Sequence, residues 1–320
     1  MAALDVDRQR AVIPRLELAL SAPARLNLDA EASLDWQAPH PAHLRVVGDL
    51  ALDAGRLDWS LAGDGNLEKL RTTGRIGWQG KDTPDATVKL AVESSLTAAR
   101  IEALTAELLD GSLTLNGEVG WEEGLDWQAR ICAKGLQPGP WLDAATGPVS
   151  FELTSSGQMN RPGELNHDTR LVDGQAEVAG IALTDLRLHV TGDLGRAEIH
   201  DLAGRVLGAR VAGEADLQLG REEIGWSARL SLDEVDLSKL ETLDIDSGGL
   251  DGRIGLDLSS RGYWRGGRAF LSAELENLRG EVAGQLLSGR VSLSVEGDTV
   301  RLQPADLTLG AVSYTHLRAH

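Results

Sequence analysis

The residues that could carry out catalysis or hold a metal are few in this sequence and poorly spaced for it. His40 and His43 form an H-x-x-H, but in a proline-rich loop with no third ligand nearby, so a solvated turn is the simpler reading. Asp244, Asp246 and Asp251 sit among glycines, as calcium ligands do. The EF-hand spacing fails there, because its third acidic position is Gly248 and its closing glutamate position is Gly255. Cys132, the one cysteine, lies beside Arg130 with no histidine close in sequence, which reads as an inert surface thiol. No GxSxG, HExxH, P-loop or dinucleotide-binding fingerprint occurs. These residues point to no catalytic site, no metal and no cofactor, hence to a protein that is not an enzyme.

Composition narrows the classes that remain. Lys and Arg number 31 against 49 Asp and Glu, a formal charge of −18, which would repel a nucleic acid. Apolar residues at 42% argue against general disorder. A single cysteine excludes an internal disulfide framework. Aromatics are scarce, yet eight are Trp, and the 37 glycines follow no G-X-Y period, as expected for many turns between short strands.

Both ends need care. No apolar run reaches about 18 residues and MAALDVDRQRAVIPRLELAL lacks a signal-peptide core, so read from Met1 alone the chain would be cytoplasmic. Residues Val312–His320 (VSYTHLRAH) resemble the translation of a sequencing-library adaptor. The expectation is that native sequence ends near Ala311, and that 312–320 is a scar contributing nothing to the sheet's stability. His316 and His320 are then no metal site, and a chain cut at one end can lack its natural start as well.

The dominant pattern has a period of two. From Leu26 the apolar positions are Leu26, Leu28, Ala30, Ala32, Leu34 and Trp36, with polar residues between. The alternation returns in Leu57-Trp59-Leu61, Val88-Leu90-Val92, Trp127-Ala129-Ile131, Trp226-Ala228-Leu230 and Val291-Leu293-Val295. Each marks a strand with one oily and one wet face. Gly48-Asp49, Asp110-Gly111, Asn116-Gly117, Asp251-Gly252 and Gly297-Asp298 read as turn pairs, and short connections imply antiparallel neighbours. Roughly 20 to 24 strands are expected at ordinary strand lengths.

Two segments, 96–109 and 237–243, have apolar spacings that fit a helix as well as a strand. The first resembles the glycine-broken segment 198–207, which favours strand. Ile101, Leu104, Leu108 and Leu113 recur at one constant spacing as Ile199, Leu202, Val206 and Val211. Trp127-Gln128-Ala129 recurs as Trp226-Ser227-Ala228, Glu177-Val178-Ala179-Gly180 as Glu281-Val282-Ala283-Gly284, and Asp35-Trp36-Gln37-Ala38 as Asp126-Trp127-Gln128-Ala129. Such repetition implies an elongated sheet whose units contact mainly their neighbours. The proline-bearing stretches 38–43, 81–85, 136–140 and 159–163 read as loops rather than domain linkers, leaving 1–311 as one repeat region.

Trp36, Trp59, Trp121, Trp127 and Trp226 fall on oily positions. Alternation alone allows a dry two-sheet core or an open groove for an apolar ligand.

The run GEVGWEEGLDWQARICAKGLQPGPW (Gly117–Trp141), then GPVSFELTSSGQMNRPGEL and short L-x-G-x-V strands, resembles the TamB family within the AsmA-like group. The resemblance spans about Leu4 to Ala311. It implies a periplasmic piece of a longer protein anchored in the inner membrane, with an all-β sheet curled into an open, U-shaped, taco-like groove. It also implies phospholipid passage between the inner and outer membranes, linked assembly of outer-membrane proteins and autotransporters, and pairing with the outer-membrane barrel TamA through a region outside this chain.

The physics suits such a role. An acyl chain of about 15 methylenes in water costs on the order of 12 kcal/mol at about 0.8 each, and an oily trough removes most of it without chemistry. Leu113, Leu115, Val119, Trp121, Trp127, Ile131, Trp226, Leu230, Ile254, Leu256, Val291 and Leu293 are expected to line the groove and touch phospholipid acyl chains. Two alternatives stay open. One is a periplasmic scaffold or chaperone that binds strands at a free sheet edge, the other a secreted β-solenoid or adhesin passenger.

Overall fold

The computed structural model describes residues 5–6, 10–20, 25–139, 146–161, 164–178, 180–220, 223–238, 251–266, 268–297, 299–302, 305–310 and 312–317. Asp244, Asp246, residues 239–243 of the second helix candidate, Trp141 and His320 lie outside them. Among the described residues the chain forms 22 strands and no α-helix. All belong to one sheet, every pairing given below is antiparallel, and no pairing joins the first strand to the last, so the sheet is not a barrel.

The chain divides into two units, and the break between Asn160 and Arg161 falls within the proline-bearing stretch 159–163. Unit 1 comprises Met1–Asp143 and Val149–Asn160. Its first strands are β1 (Asp5–Val6), β2 (Arg10–Leu20), β3 (Arg25–Asp35), β4 (Pro41–Leu52), β5 (Gly55–Asn66) and β6 (Leu70–Gly80). It continues with β7 (Ala86–Ser94), β8 (Ala98–Leu108), β9 (Gly111–Gly120), β10 (Leu125–Leu136) and β11 (Val149–Met159). Each strand pairs with the next in sequence, as the short turns require.

Unit 2 comprises Ala144–Pro148 and Arg161–His320. It holds β12 (Leu165–Val178), β13 (Ile181–Gly192), β14 (Arg196–Val206), β15 (Ala209–Leu219), β16 (Glu223–Asp236) and β17 (Gly252–Arg265). After these come β18 (Arg268–Val282), β19 (Gln285–Glu296), β20 (Thr299–Leu302), β21 (Ala305–Leu309) and β22 (Val312–Leu317). The meander continues from β12 to β19, which pairs with both β20 and β21 along its length. The adaptor-like segment pairs as β22 with β21, with Leu309 opposite Val312 and Leu307 opposite Tyr314. An edge strand offers unpaired N–H and C=O groups to any extended chain, so such pairing needs no designed sequence.

The helix-like spacing at 96–109 has a physical cause. Residues 98–108 form strand β8, and between Ile101 and Leu104 it carries one residue more than β9 across Gly117–Leu115. That β-bulge shifts the alternation by one, so apolar residues three apart stay on one face. The same bulge lies between Ile199 and Leu202 of β14, which is why those positions repeat. Trp127 and Trp226 sit on β10 and β16, and Val178 and Val282 on β12 and β18, so each repeat spans six strands. The Asp35–Ala38 match has no such equivalence, since Trp36 follows the end of β3 whereas Trp127 lies within β10.

Two expected turns are corrected. Gly48-Asp49 lies inside β4 and Asn116-Gly117 inside β9. Glycine serves close approach there. A Cβ on Gly48 would sit 2.4 Å from the Trp59 ring, and one on Gly117 would sit 2.4 Å from the Gln128 carbonyl oxygen. Asp110-Gly111 does join β8 to β9, with Leu109 and Asp110 at φ 51° and 57°. That fits a two-residue hairpin turn.

Candidate apolar binding face

Strand register assembles the oily positions into long rows. In unit 1, Ala30, Val46, Leu61, Gly74, Leu90, Leu104, Leu115, Ile131 and Leu153 are successive partners from β3 to β11. A second row carries Trp59, Ile76, Val88, Ala106, Leu113, Ala133 and Phe151 from β5 to β11. In unit 2, Gly213, Leu230, Leu258, Leu275 and Val291 form the equivalent row from β15 to β19, joined by Leu202 of β14.

The expected lining residues can be placed on these rows. Leu113, Leu115, Val119, Trp127 and Ile131 share one face of β9 and β10, with Val119 opposite Trp127 and Leu115 opposite Ile131. Trp226, Leu230, Ile254, Leu256, Val291 and Leu293 share one face of β16, β17 and β19. Trp121 sits beyond the end of β9, 43% exposed, with its indole N–H donating to the Leu96 carbonyl at 2.8 Å. Trp36 likewise leaves its strand and is 47% exposed.

Among the described residues no second layer packs on these rows. The accessible surface is 20374 Å², against roughly 12,800 Å² for a close-packed protein of this mass. No large side chain is fully buried among the described residues, and several of the most buried apolar ones are alanines such as Ala133 and Ala209. The lining residues in the strands are half-buried, shielded by their neighbours along and across the sheet.

At Trp127 and Trp226 the face carries no unmet indole N–H. Trp127 lies opposite Gly157, and its indole N–H donates to Ser155 Oγ at 3.3 Å. Trp226 lies opposite Gly262, and its indole donates to Ser260 Oγ at 3.2 Å. In both, a glycine on the next strand leaves room for the ring to reach across it. The sequence does hold a signal for this, since W-x-A and S-x-G recur together in neighbouring strands, but W-x-A alone reads as alternation.

The opposite face is charged and largely self-satisfied. Glu102, at the β8 bulge, bonds Arg71 across β7 at 2.6 Å, and Arg130 bonds Glu152 at 2.5 Å. Asp257 accepts hydrogen bonds from Asn277 at 2.7 Å and Ser231 at 2.8 Å, which with nearby Arg279 hold its carboxyl below the ordinary value. Asp168 is lowered likewise, chiefly by its hydrogen bond with His189 at 2.8 Å and also by the charge of Arg170. A cavity of about 1080 Å³ in unit 2 lies over this polar alternation, lined by Glu214, Arg229, Asp257, Arg261, Ser272 and Glu274 among others. Of the expected lining residues only Leu230 borders it. Cys132 stands on the same polar alternation, opposite Thr114 and Glu152, and His43 bonds Asp64 at 2.6 Å.

Residues 14–172 match the family model for the TamB N-terminal domain. The chain belongs to the TamB family. Members of that family are transport and assembly modules. The match ends inside β12, and the six-strand repeat carries the same pattern beyond it into unit 2. No solved structure matches the chain. No described helix is long and apolar enough to cross a membrane.

Proposed function

We propose that this chain is a non-enzymatic lipid conduit, the periplasmic part of a protein anchored in the inner membrane. Its apolar rows shelter phospholipid acyl chains between the two membranes, with a linked role in assembling outer-membrane proteins and autotransporters. Pairing with the barrel TamA belongs to the same reading and involves residues outside this chain. The observation that carries it is the half-exposed apolar face, in register over nine strands of unit 1, with no second layer among the described residues packed against it. Such a face is costly in water unless a mobile apolar ligand covers it.

Leu115→Arg tests this. On an open face the guanidinium keeps its water, so the sheet folds, while a cation in the acyl path blocks lipid transfer in cells. Unchanged transfer by the folded variant would overturn the reading. Unfolding of the variant would instead mean a closed core with a buried charge.

The uptake of Val312–Leu317 by the edge of β21 favours a second reading, a scaffold that holds strands by backbone pairing. A β-solenoid passenger would stack its coils in parallel, whereas every described pairing is antiparallel.

A further inference from the structure

Three of the exposed apolar residues of unit 2 lie in one row beside the tip of the β17–β18 hairpin. Leu219, Ile224 and Trp264 are direct cross-strand partners on β15, β16 and β17. They are 40%, 45% and 49% exposed. Single exposed apolar residues are ordinary, but three in one row form a patch that needs a partner. The row lies on the same face as Leu217 and Trp226, two residues further in, so it is the outer margin of the apolar face.

Among the described tryptophans within strands, Trp264 is the exposed one, whereas Trp59, whose indole also finds no acceptor among the described residues, is half-buried. The indoles of Trp78, Trp121, Trp127 and Trp226 all donate within the protein. Among the described residues, none accepts from the indole of Trp264. A ring on an apolar row with a free N–H suits the boundary between acyl chains and headgroups.

The same tip carries an unusual charge arrangement. Arg265 and Arg268 are directly opposed across the hairpin, beside a turn with Gly266 at φ 57°. Like charges so placed repel. Glu223 bonds Arg265, which also lies 5.2 Å from the Tyr263 ring, but Arg268 has no ion pair among the described residues. In a chain of net charge −18, Arg268 is thus a cation with no carboxylate partner among the described residues.

We propose that this tip docks on the surface of a phospholipid bilayer. Leu219, Ile224 and Trp264 enter the headgroup boundary, and Arg265 and Arg268 meet the lipid phosphates. The proposal extends the conduit reading by giving the apolar face a place where lipid enters or leaves, and it rests on that reading for its purpose.

Flotation with vesicles tests it, using phosphatidylethanolamine alone or mixed with phosphatidylglycerol. The chain should float with both and prefer the mixture. Trp264→Ser combined with Ile224→Ser should weaken binding about tenfold. Arg265→Gln combined with Arg268→Gln should abolish only the preference for the anionic mixture. Circular dichroism should show all variants folded, since the altered residues are exposed. No flotation of the parent chain, equal flotation of parent and Trp264/Ile224 variant, or displacement by inorganic phosphate alone would overturn it. A photo-crosslinker at Leu115 in unit 1 reports the conduit separately. Label there without flotation removes only the docking proposal, and flotation without label removes only the conduit.

Discussion

The indole N–H of Trp226 reaches over the next strand to the hydroxyl of Ser260, 3.2 Å away, with Gly262 as its cross-strand partner. The same clasp joins Trp127 to Ser155 six strands earlier. It removes two polar groups at once from a face that is otherwise hydrocarbon. Trp226→Phe keeps most of the ring but leaves Ser260 without its donor. The expected loss is about 1 kcal/mol, read as a lower urea midpoint. Adding Ser260→Ala should recover part of it. Fully additive losses would mean that the two residues do not interact.

Gly48→Ala should destabilise unit 1 by about 1–3 kcal/mol, because the new methyl would overlap the Trp59 ring and the Asn27 carbonyl oxygen. In a Trp59→Ala background the same change should cost clearly less. Calorimetry of the four proteins checks this, and an equal cost in both backgrounds would place the strain elsewhere.

Asp257 gives a pH signature. Its folded carboxyl titrates below the ordinary value, so its contribution is fully present above the unfolded pKa and is lost as pH falls through the folded one. Asn277→Ala together with Ser231→Ala removes the donors that depress it. The double variant should lose stability at neutral pH and converge with the parent once the pH has fallen below the folded pKa. Urea midpoints across that range would show the convergence, and parallel curves would contradict it.

We propose that Val312–His320 is not native, and its pairing as β22 uses backbone groups that any extended chain offers. Deleting those nine residues should leave the thermal midpoint unchanged. A drop of several degrees would show that the segment is integral to the sheet.

Much of the fold could be read from alternation, because a half-covered sheet forces period two on Leu26–Leu34, Trp226–Leu230 and Val291–Val295. The bulges could not. Ile101 and Leu104 imitate a helix only because an extra residue between them restores the face. Gly48 and Gly117 imitate turns, since glycine is also required where a ring or a neighbouring backbone comes close. For the candidate face, strand periodicity placed Leu115 and Trp127 on the apolar alternation of unit 1 and Leu230 on that of β16 in unit 2. Which residues meet across strands is set by register, so the Trp226–Ser260 clasp and the Leu219–Ile224–Trp264 row were not visible in any single segment. Trp36 and Trp121 fit the alternation numerically, yet their strands end one residue earlier.

The central claim is that the apolar face touches lipid. Photo-crosslinking side chains placed singly at Leu115, Trp127 and Gln128 in cells test it most directly. Leu115 and Trp127 stand on the apolar alternation, and Gln128 is exposed on the charged one. The account predicts phospholipid adducts at Leu115 and Trp127 and none at Gln128. Equal labelling at Gln128, or no adduct at the other two, would contradict it.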